Sequence, residues 1–429
     1  MRGEGVASAA RCRACSTGVL IDVLNLAEQP LAGHFPMADE AATALPTWPL
    51  QLMVCRSCRL VQLTDAAPEE PDEREALATP ISSTMSDHLD AWAAEVAERL
   101  DGANGTAIEL ASHGGSLYRQ LGERGIRSTV LDPDPDRATR LRRLGIPAHR
   151  LPSTAKAWRR LAVQLGSPRV IVDQYLLAHV RRPVALLAGL RRLARPDTEL
   201  VLECEYVVPV LATGRFDSVR HGHFSYFSLW SLERALDLAG WRTVDAARHT
   251  VFGGTLRVWA GPAVAGTAAR SSSPGRQHRG SRLTLIRAYE EKLELDGEGP
   301  YRAFAERARE AGRRLVEALR IERAAGRRVA AYGAPTRGNT LLNSCGIGRD
   351  LVEFTVDADE SKHGRLLPGS GIPILPPVEL DRRSPDTVLM LTWDLAAEIM
   401  PRLPATVDRP LRVILPLPDL TVLQLPVQL

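Results

Sequence analysis

No stretch of this 429-residue chain approaches the ~18 consecutive apolar residues that a bilayer-spanning helix needs. Its opening residues, MRGEGVASAARCRAC, also lack the apolar run of a secretory signal. A cytoplasmic location with no membrane partner is therefore the expectation. An excess of one charge is missing as well: 54 Lys and Arg stand against 51 Asp and Glu, a net +3, which argues against a nucleic-acid partner. Arginine greatly outnumbers lysine, but the arginines are scattered along helical stretches as solvated faces. Also missing is the GxGxxG fingerprint of a NAD site; the strand and turn where it belongs read ELASHGGS. What remains is the composition of a soluble globular protein, 45% apolar and 24% charged, long enough for two or three domains.

Cysteine is sparse but patterned. Four of the six residues form two CxxC knuckles, Cys12 and Cys15 in CRAC and Cys55 and Cys58 in CRSC. In a reducing compartment such pairs read as one tetrahedral zinc site rather than as disulfides. Four sulfurs leave no open coordination position, so the role expected of Zn2+ is structural. Cys204 and Cys345 stand alone among apolar neighbours and read as packing residues.

Residues 87–101 have helical apolar spacing. After them TAIELA reads as a buried strand, HGGS as a turn, LYRQLGERG as a helix and STVLD as a second strand ending on Asp132. In such βαβ units the acid commonly accepts hydrogen bonds from a ribose diol, and the turn admits a nucleoside to the backbone. The alternation continues through RVIVDQYLLAHV, with Asp173 at the strand end, and then through a helix, a Pro-Asp turn and the strand TELVLE. HTVFGGTLRVWAGP reads as a hairpin-like pair of strands. Residues 266–282, rich in Ser, Gly and Arg, read as a flexible linker. Beyond it RRVAAYGAPTRGNTLLNSCG is again strand, turn and helix, and VEFTVDAD is a strand ending in an acid. A glycine-containing turn at a helix N-terminus suits phosphate or ribose. Tyr332, Arg337 and Asn339 are the substrate-binding candidates there.

Several blocks in order resemble the sugar C-methyltransferases of antibiotic deoxysugar biosynthesis. They are the two knuckles with AEQPLAGHFP and LQLMVC between them, IELASHGGSL with VLDPDP, YLLAHV, FDSVRHGHFSYFS, AAYGAPTRGNTLLNSCGIG, VDADESKHGRLLPGSGIPILPP and LTWDLAAEI. The resemblance implies an α/β chain of three domains: a small zinc-binding domain (1–75), a Rossmann-like S-adenosylmethionine domain (76–265) and, past the linker, a C-terminal Rossmann-like domain (283–429). It implies methylation of a carbon beside the ketone of a nucleotide-linked deoxysugar. Glu109, Ser112, Gly115, Asp132 and Asp173 become the cofactor-binding candidates.

Carbon methylation beside a ketone needs a base, donors for the developing oxyanion, and a pocket that excludes water. In the family these tasks fall to a segment of the form Tyr-His-Glu-His-x-Ser-Tyr-Phe-Ser. This chain has Arg220, His221, Gly222, His223, Phe224, Ser225, Tyr226, Phe227 and Ser228 there. The resemblance makes His223 the base, with His221 and Tyr226 as catalytic candidates and Ser225 and Arg220 beside the substrate. Arg220 replaces the tyrosine, and Gly222 replaces the glutamate that would hold the imidazole. The cofactor turn departs too: Ala111 stands for a glycine, and His113-Gly114 for Asn-Asp. Upstream, LATPISSTMSDH keeps Ser82, Ser83 and His88 but no tyrosine. Three readings stay open: a C-methyltransferase, an enolising isomerase or epimerase using His221 and His223, and a silent sugar-nucleotide-binding partner.

Overall fold

The computed structural model describes residues 11–37, 45–64, 82–100, 106–112, 114–263, 276–403 and 410–425. His113, residues 77–81 and residues 266–275 of the expected linker lie outside them.

Three sheets organise the described chain. The first is antiparallel, built from β1 (Leu20–Pro30), β2 (Thr47–Cys55) and β3 (Val61–Leu63). Helix α1 (Ser83–Arg99), capped by the Ser82 hydroxyl on the Met85 amide, leads into the second. That sheet alternates β4 (Thr106–Leu110), α2 (Ser116–Glu123), β5 (Arg127–Asp132), α3 (Pro135–Arg143), β6 (Ala148–Arg150), α4 (Ala155–Leu165), β7 (Val170–Gln174), α5 (Pro183–Arg191) and β8 (Glu199–Glu205). Helix α6 (Val207–Thr213), the two-residue strand β9 (Ser225–Tyr226) and α7 (Leu229–Leu238) follow. The hairpin expected from HTVFGGTLRVWAGP then forms between β10 (Trp241–His249) and β11 (Thr255–Pro262). The seven-stranded order is β10-β11-β8-β7-β4-β5-β6, with only β11 running against the other strands. The central strands are apolar on both faces, as buried parallel strands must be.

The third sheet follows α8 (Arg276–Lys292) and the long α9 (Gly299–Ala324). It contains β12 (Val329–Tyr332), β13 (Thr355–Val356), β14 (Ile374–Leu375), β15 (Thr387–Met390), β16 (Leu411–Leu415) and β17 (Thr421–Leu425), with α10 (Thr336–Ser344) after β12. Only β17 runs antiparallel. The linker reading is therefore too long: from Arg276 onward the chain is helical. Leu283 and Ile286 of α8 are buried and Arg282 pairs with the buried Asp245 of β10, so docking on that strand secures the helix. Cys204 is buried in β8, whereas Cys345 is only partly so.

Two contacts tie the sheets together. Strand β9 pairs antiparallel with β3, setting Tyr226 opposite Val61 and Ser225 opposite Gln62. The PLAGHFP segment docks on the C-terminal domain, where Asn339 donates to the Ala32 carbonyl at 2.6 Å and Arg365 to the Phe35 carbonyl at 2.9 Å.

Candidate functional site

The two knuckles converge as the spacing predicts. The Sγ atoms of Cys12, Cys15, Cys55 and Cys58 all lie within 4.8 Å of one another, three of the residues being buried. Cys12 and Cys58 are 3.4 Å apart, and Cys15 and Cys55 3.6 Å. Tetrahedral zinc with Zn–S bonds of ~2.3 Å has S···S edges of ~3.8 Å. The donor set therefore fits Zn2+. Four thiolates this close need a cation: hydrogen bonding to Cys55 and burial push the Cys12 thiol up to about 12.

The cofactor candidates gather at the C-terminal ends of β4, β5 and β7, the usual ligand cleft of an open parallel sheet. Ala111, just past β4, has φ 48°, a left-handed conformation that costs an alanine ~1–2 kcal/mol and a glycine almost nothing. Gly115 caps α2 at φ 80°, with no side chain on the helix amides. Both Glu109 oxygens and the Ser112 hydroxyl are buried and have no hydrogen-bond partner among the described residues. Such orphaned acceptors beside an open helix end fit a polar ligand carrying an amine and hydroxyls, as S-adenosylmethionine does. Two other candidates are already engaged. Asp132 accepts from the Asp134 amide at 2.8 Å and from Arg137 Nε at 2.6 Å. Asp173 accepts from the Leu176 and Leu177 amides, both at 3.0 Å, closing the turn after β7.

Burial pushes the Glu109 carboxyl up to about 7, which Ser112 and Arg119 only partly offset. The folded protein thus holds this proton more tightly than the unfolded chain, where the value is 4.5. Stability from this group is greatest below pH 4.5 and falls as pH rises to about 7, by an eventual ~3 kcal/mol. Glu109→Gln should accordingly raise the thermal midpoint at pH 8 and leave it nearly unchanged at pH 4.5. Equal midpoints at pH 8 would mean that the carboxylate is compensated in solution.

Beside this cleft lies a network that sequence reading did not assemble. Glu203 of β8 meets His88 Nε2 at 2.6 Å and accepts from Tyr175 Oη at 2.6 Å and Arg257 Nε at 2.8 Å. Burial alone would raise its carboxyl, but His88, Arg257 and Tyr175 together hold it down to about 2. Tyr175 and Phe252 both have left-handed backbones, φ 66° and 53°, and their rings meet edge-on at 5.7 Å. Strain of this kind gathers at functional sites.

The segment from Arg220 to Ser228 crosses between the sheets. His223 is 3% exposed, its ring 4.3 Å from that of Tyr226 and 4.9 Å from that of His179. Burial, then Arg220 and His179, push the imidazole well below its ordinary value, so it is neutral at physiological pH. Its Nδ1 has no hydrogen-bond partner among the described residues. Tyr226 Oη donates to the Ser218 carbonyl at 2.9 Å and accepts from the Arg220 amide. The Arg220 side chain turns back onto that same carbonyl at 3.2 Å. Ser225 is buried, and its hydroxyl has no hydrogen-bond partner among the described residues. His221 does not join them: its ring donates to the Pro49 carbonyl at 3.2 Å on β2. The turn between the histidines explains this, because Gly222 sits at φ 82° and sends the two rings apart. An isomerase using both histidines is thus not assembled here.

From the C-terminal domain, Arg337 in the first turn of α10 reaches the same region. It is half-buried, pairs with Asp394 at 2.7 Å, and its Nη1 has no hydrogen-bond partner among the described residues. Trp393 donates to Asp217 at 2.9 Å, with Arg337 and Arg215 over its ring at 5.5 and 5.3 Å. Burial raises the Asp217 carboxyl, against the two arginines. Tyr332 ends β12, half-buried at the sheet edge. Asn339, expected to bind substrate, instead spends its amide on Ala32 and is fully buried. Glu205, Asp217, Trp393 and Asp394 went unnominated. The one signal for Glu205 was a third glutamate, after Glu199 and Glu203, at the end of a central strand.

Comparison with known proteins places the chain in a family. Residues 250–418 match the family "C-methyltransferase C-terminal domain", and residues 12–71 match "Putative zinc binding domain". The curated C-methyltransferase NovU of Streptomyces niveus is 31% identical over 413 residues, 95% of either chain. Slighter likenesses are to solved structures. The 1,6-didemethyltoxoflavin-N1-methyltransferase of Burkholderia thailandensis has a TM-score of 0.32 and 19% identity over 48% of this chain and 97% of that one. The magnesium protoporphyrin IX methyltransferase of Synechocystis PCC 6803 has a TM-score of 0.35 and 12% identity over 44% and 93%. The assignment rests on the first relative and the two family models: this chain belongs to the C-methyltransferase family.

Proposed function

We propose that the protein is an S-adenosylmethionine-dependent C-methyltransferase acting on a nucleotide-linked 4-keto-deoxysugar through an enolate. The observation that carries this reading is His223, a buried neutral imidazole whose Nδ1 has no hydrogen-bond partner among the described residues and is open to serve as the basic nitrogen. A base for a carbon acid needs those two properties, a free lone pair and a dry surrounding. His223 takes the proton beside the ketone, and Tyr226 and Ser225 flank it. Arg337, with its spare Nη1, is the donor for substrate oxygen on the C-terminal side. Glu109, Ser112, Gly115, Asp132 and Asp173 line the cleft for S-adenosylmethionine, which when bound supplies an electrophilic methyl group.

Calorimetry of S-adenosylhomocysteine on the zinc-loaded protein is the test. Micromolar binding, ~8 kcal/mol, is expected, together with labelled methyl appearing on the sugar. One observation favours a second reading, a relative that no longer transfers methyl: Asp132, the expected ribose acceptor, is held by Arg137. If that reading holds, S-adenosylhomocysteine does not bind, and solvent deuterium enters the ketosugar without added cofactor.

A further inference from the structure

We infer that Glu205 is the positioning residue for His223, returning from β8 the carboxylate that position 222 lacks. The inference rests on His223 being the base. Glu205 Oε2 stands 3.6 Å from His223 Nε2, and among the described residues no other carboxylate comes within 4 Å of that ring. The other oxygen is anchored: Oε1 accepts from Arg215 Nη2 at 2.9 Å and from the Ser218 hydroxyl at 2.6 Å. Arg215 is itself held by the Phe252 and Gly253 carbonyls, so the carboxylate is fixed on one side and free to face the imidazole on the other. The remaining groups around His223 are Arg220, His179 and Tyr226, none of them a carboxylate. A carboxylate opposite Nε2 favours the tautomer with hydrogen on Nε2, which leaves the lone pair on Nδ1. That is the atom without a partner. Position 222 is closed to a carboxylate of its own, because its φ of 82° strains any side chain.

A purely structural Glu205 would serve only to neutralise Arg215, and two measurements tell the roles apart. In nitrogen-15 histidine spectra of the full-length zinc-loaded protein, with His223 assigned by its loss in His223→Gln, we expect hydrogen on Nε2. In Glu205→Ala the tautomers should become mixed. A wild-type spectrum with hydrogen on Nδ1, or a Glu205→Ala spectrum identical to wild type, overturns the inference. In turnover, the isosteric Glu205→Gln should lower kcat roughly 10- to 100-fold with KM within about twofold, and Glu205→Asp should recover part of it. Unchanged kcat in Glu205→Gln also overturns it. If wild-type protein transfers no methyl but shows the Glu205-dependent tautomer, the proposed activity fails and the positioning role stands.

Discussion

His223→Ala is expected to lower the rate of methyl transfer by ~10²- to 10⁴-fold, equivalent to ~3–5 kcal/mol of transition-state stabilisation. Affinity for S-adenosylhomocysteine should stay within about twofold, because the orphaned Glu109 and Ser112 belong to a different strand end. The separation follows from the architecture: the proposed base rides on a crossing segment, while the proposed cofactor cleft lies at the ends of β4, β5 and β7. Labelled methyl transfer and calorimetry on the same preparation decide the matter. A variant that turns over normally would remove His223 from the chemistry. A variant that loses cofactor affinity as well would mean that the two sites are not independent.

Cys55→Ser should have the largest structural effect. Cys55 ends β2, its Sγ faces Cys15, and it is wholly buried. Structural zinc sites in small domains contribute ~10–16 kcal/mol when metal binding and folding coincide, so one lost thiolate should cost more than a typical core truncation. The expected results are loss of stoichiometric zinc and faster amide exchange in β1 to β3. Because β9 pairs with β3, the amides of Ser225 and Tyr226 should exchange faster too, and turnover should fall although zinc touches no substrate. A variant that loses its zinc but keeps β9 protected would show that the first sheet holds the catalytic segment without the metal.

Legibility in the sequence followed distance along the chain. The cysteine knuckles, β4 to α2 to β5 and the β10–β11 hairpin are local patterns and form as their spacing requires. The flanking blocks single out His223 as a candidate. Its partner was not, since Glu205 lies 18 positions upstream on another element, and their meeting depends on how α6 and the following turn fold back. His221 shows the opposite failure: two positions apart implies one shared side only in a strand, and Gly222 breaks that geometry. Asn339 reads as a polar group at a ligand-binding turn until the PLAGHFP segment packs over it. Arg276 to Arg282 read as linker because Ser, Gly and Arg dominate their neighbourhood, whereas burial of Leu283 and Ile286 decides for helix.

One hydrophobic cluster runs without a break from Cys12 and Leu52 of the first sheet, through Leu202 and Phe304, to Leu389 and Leu417 of the third. The three sheets look like modules, and the second and third hold smaller clusters of their own, yet the largest cluster belongs to no single sheet. Excising any one should leave raw apolar surface on the others, so separately expressed fragments should aggregate and the intact chain should melt in a single step. A change at one position in this shared cluster is therefore felt in all three sheets.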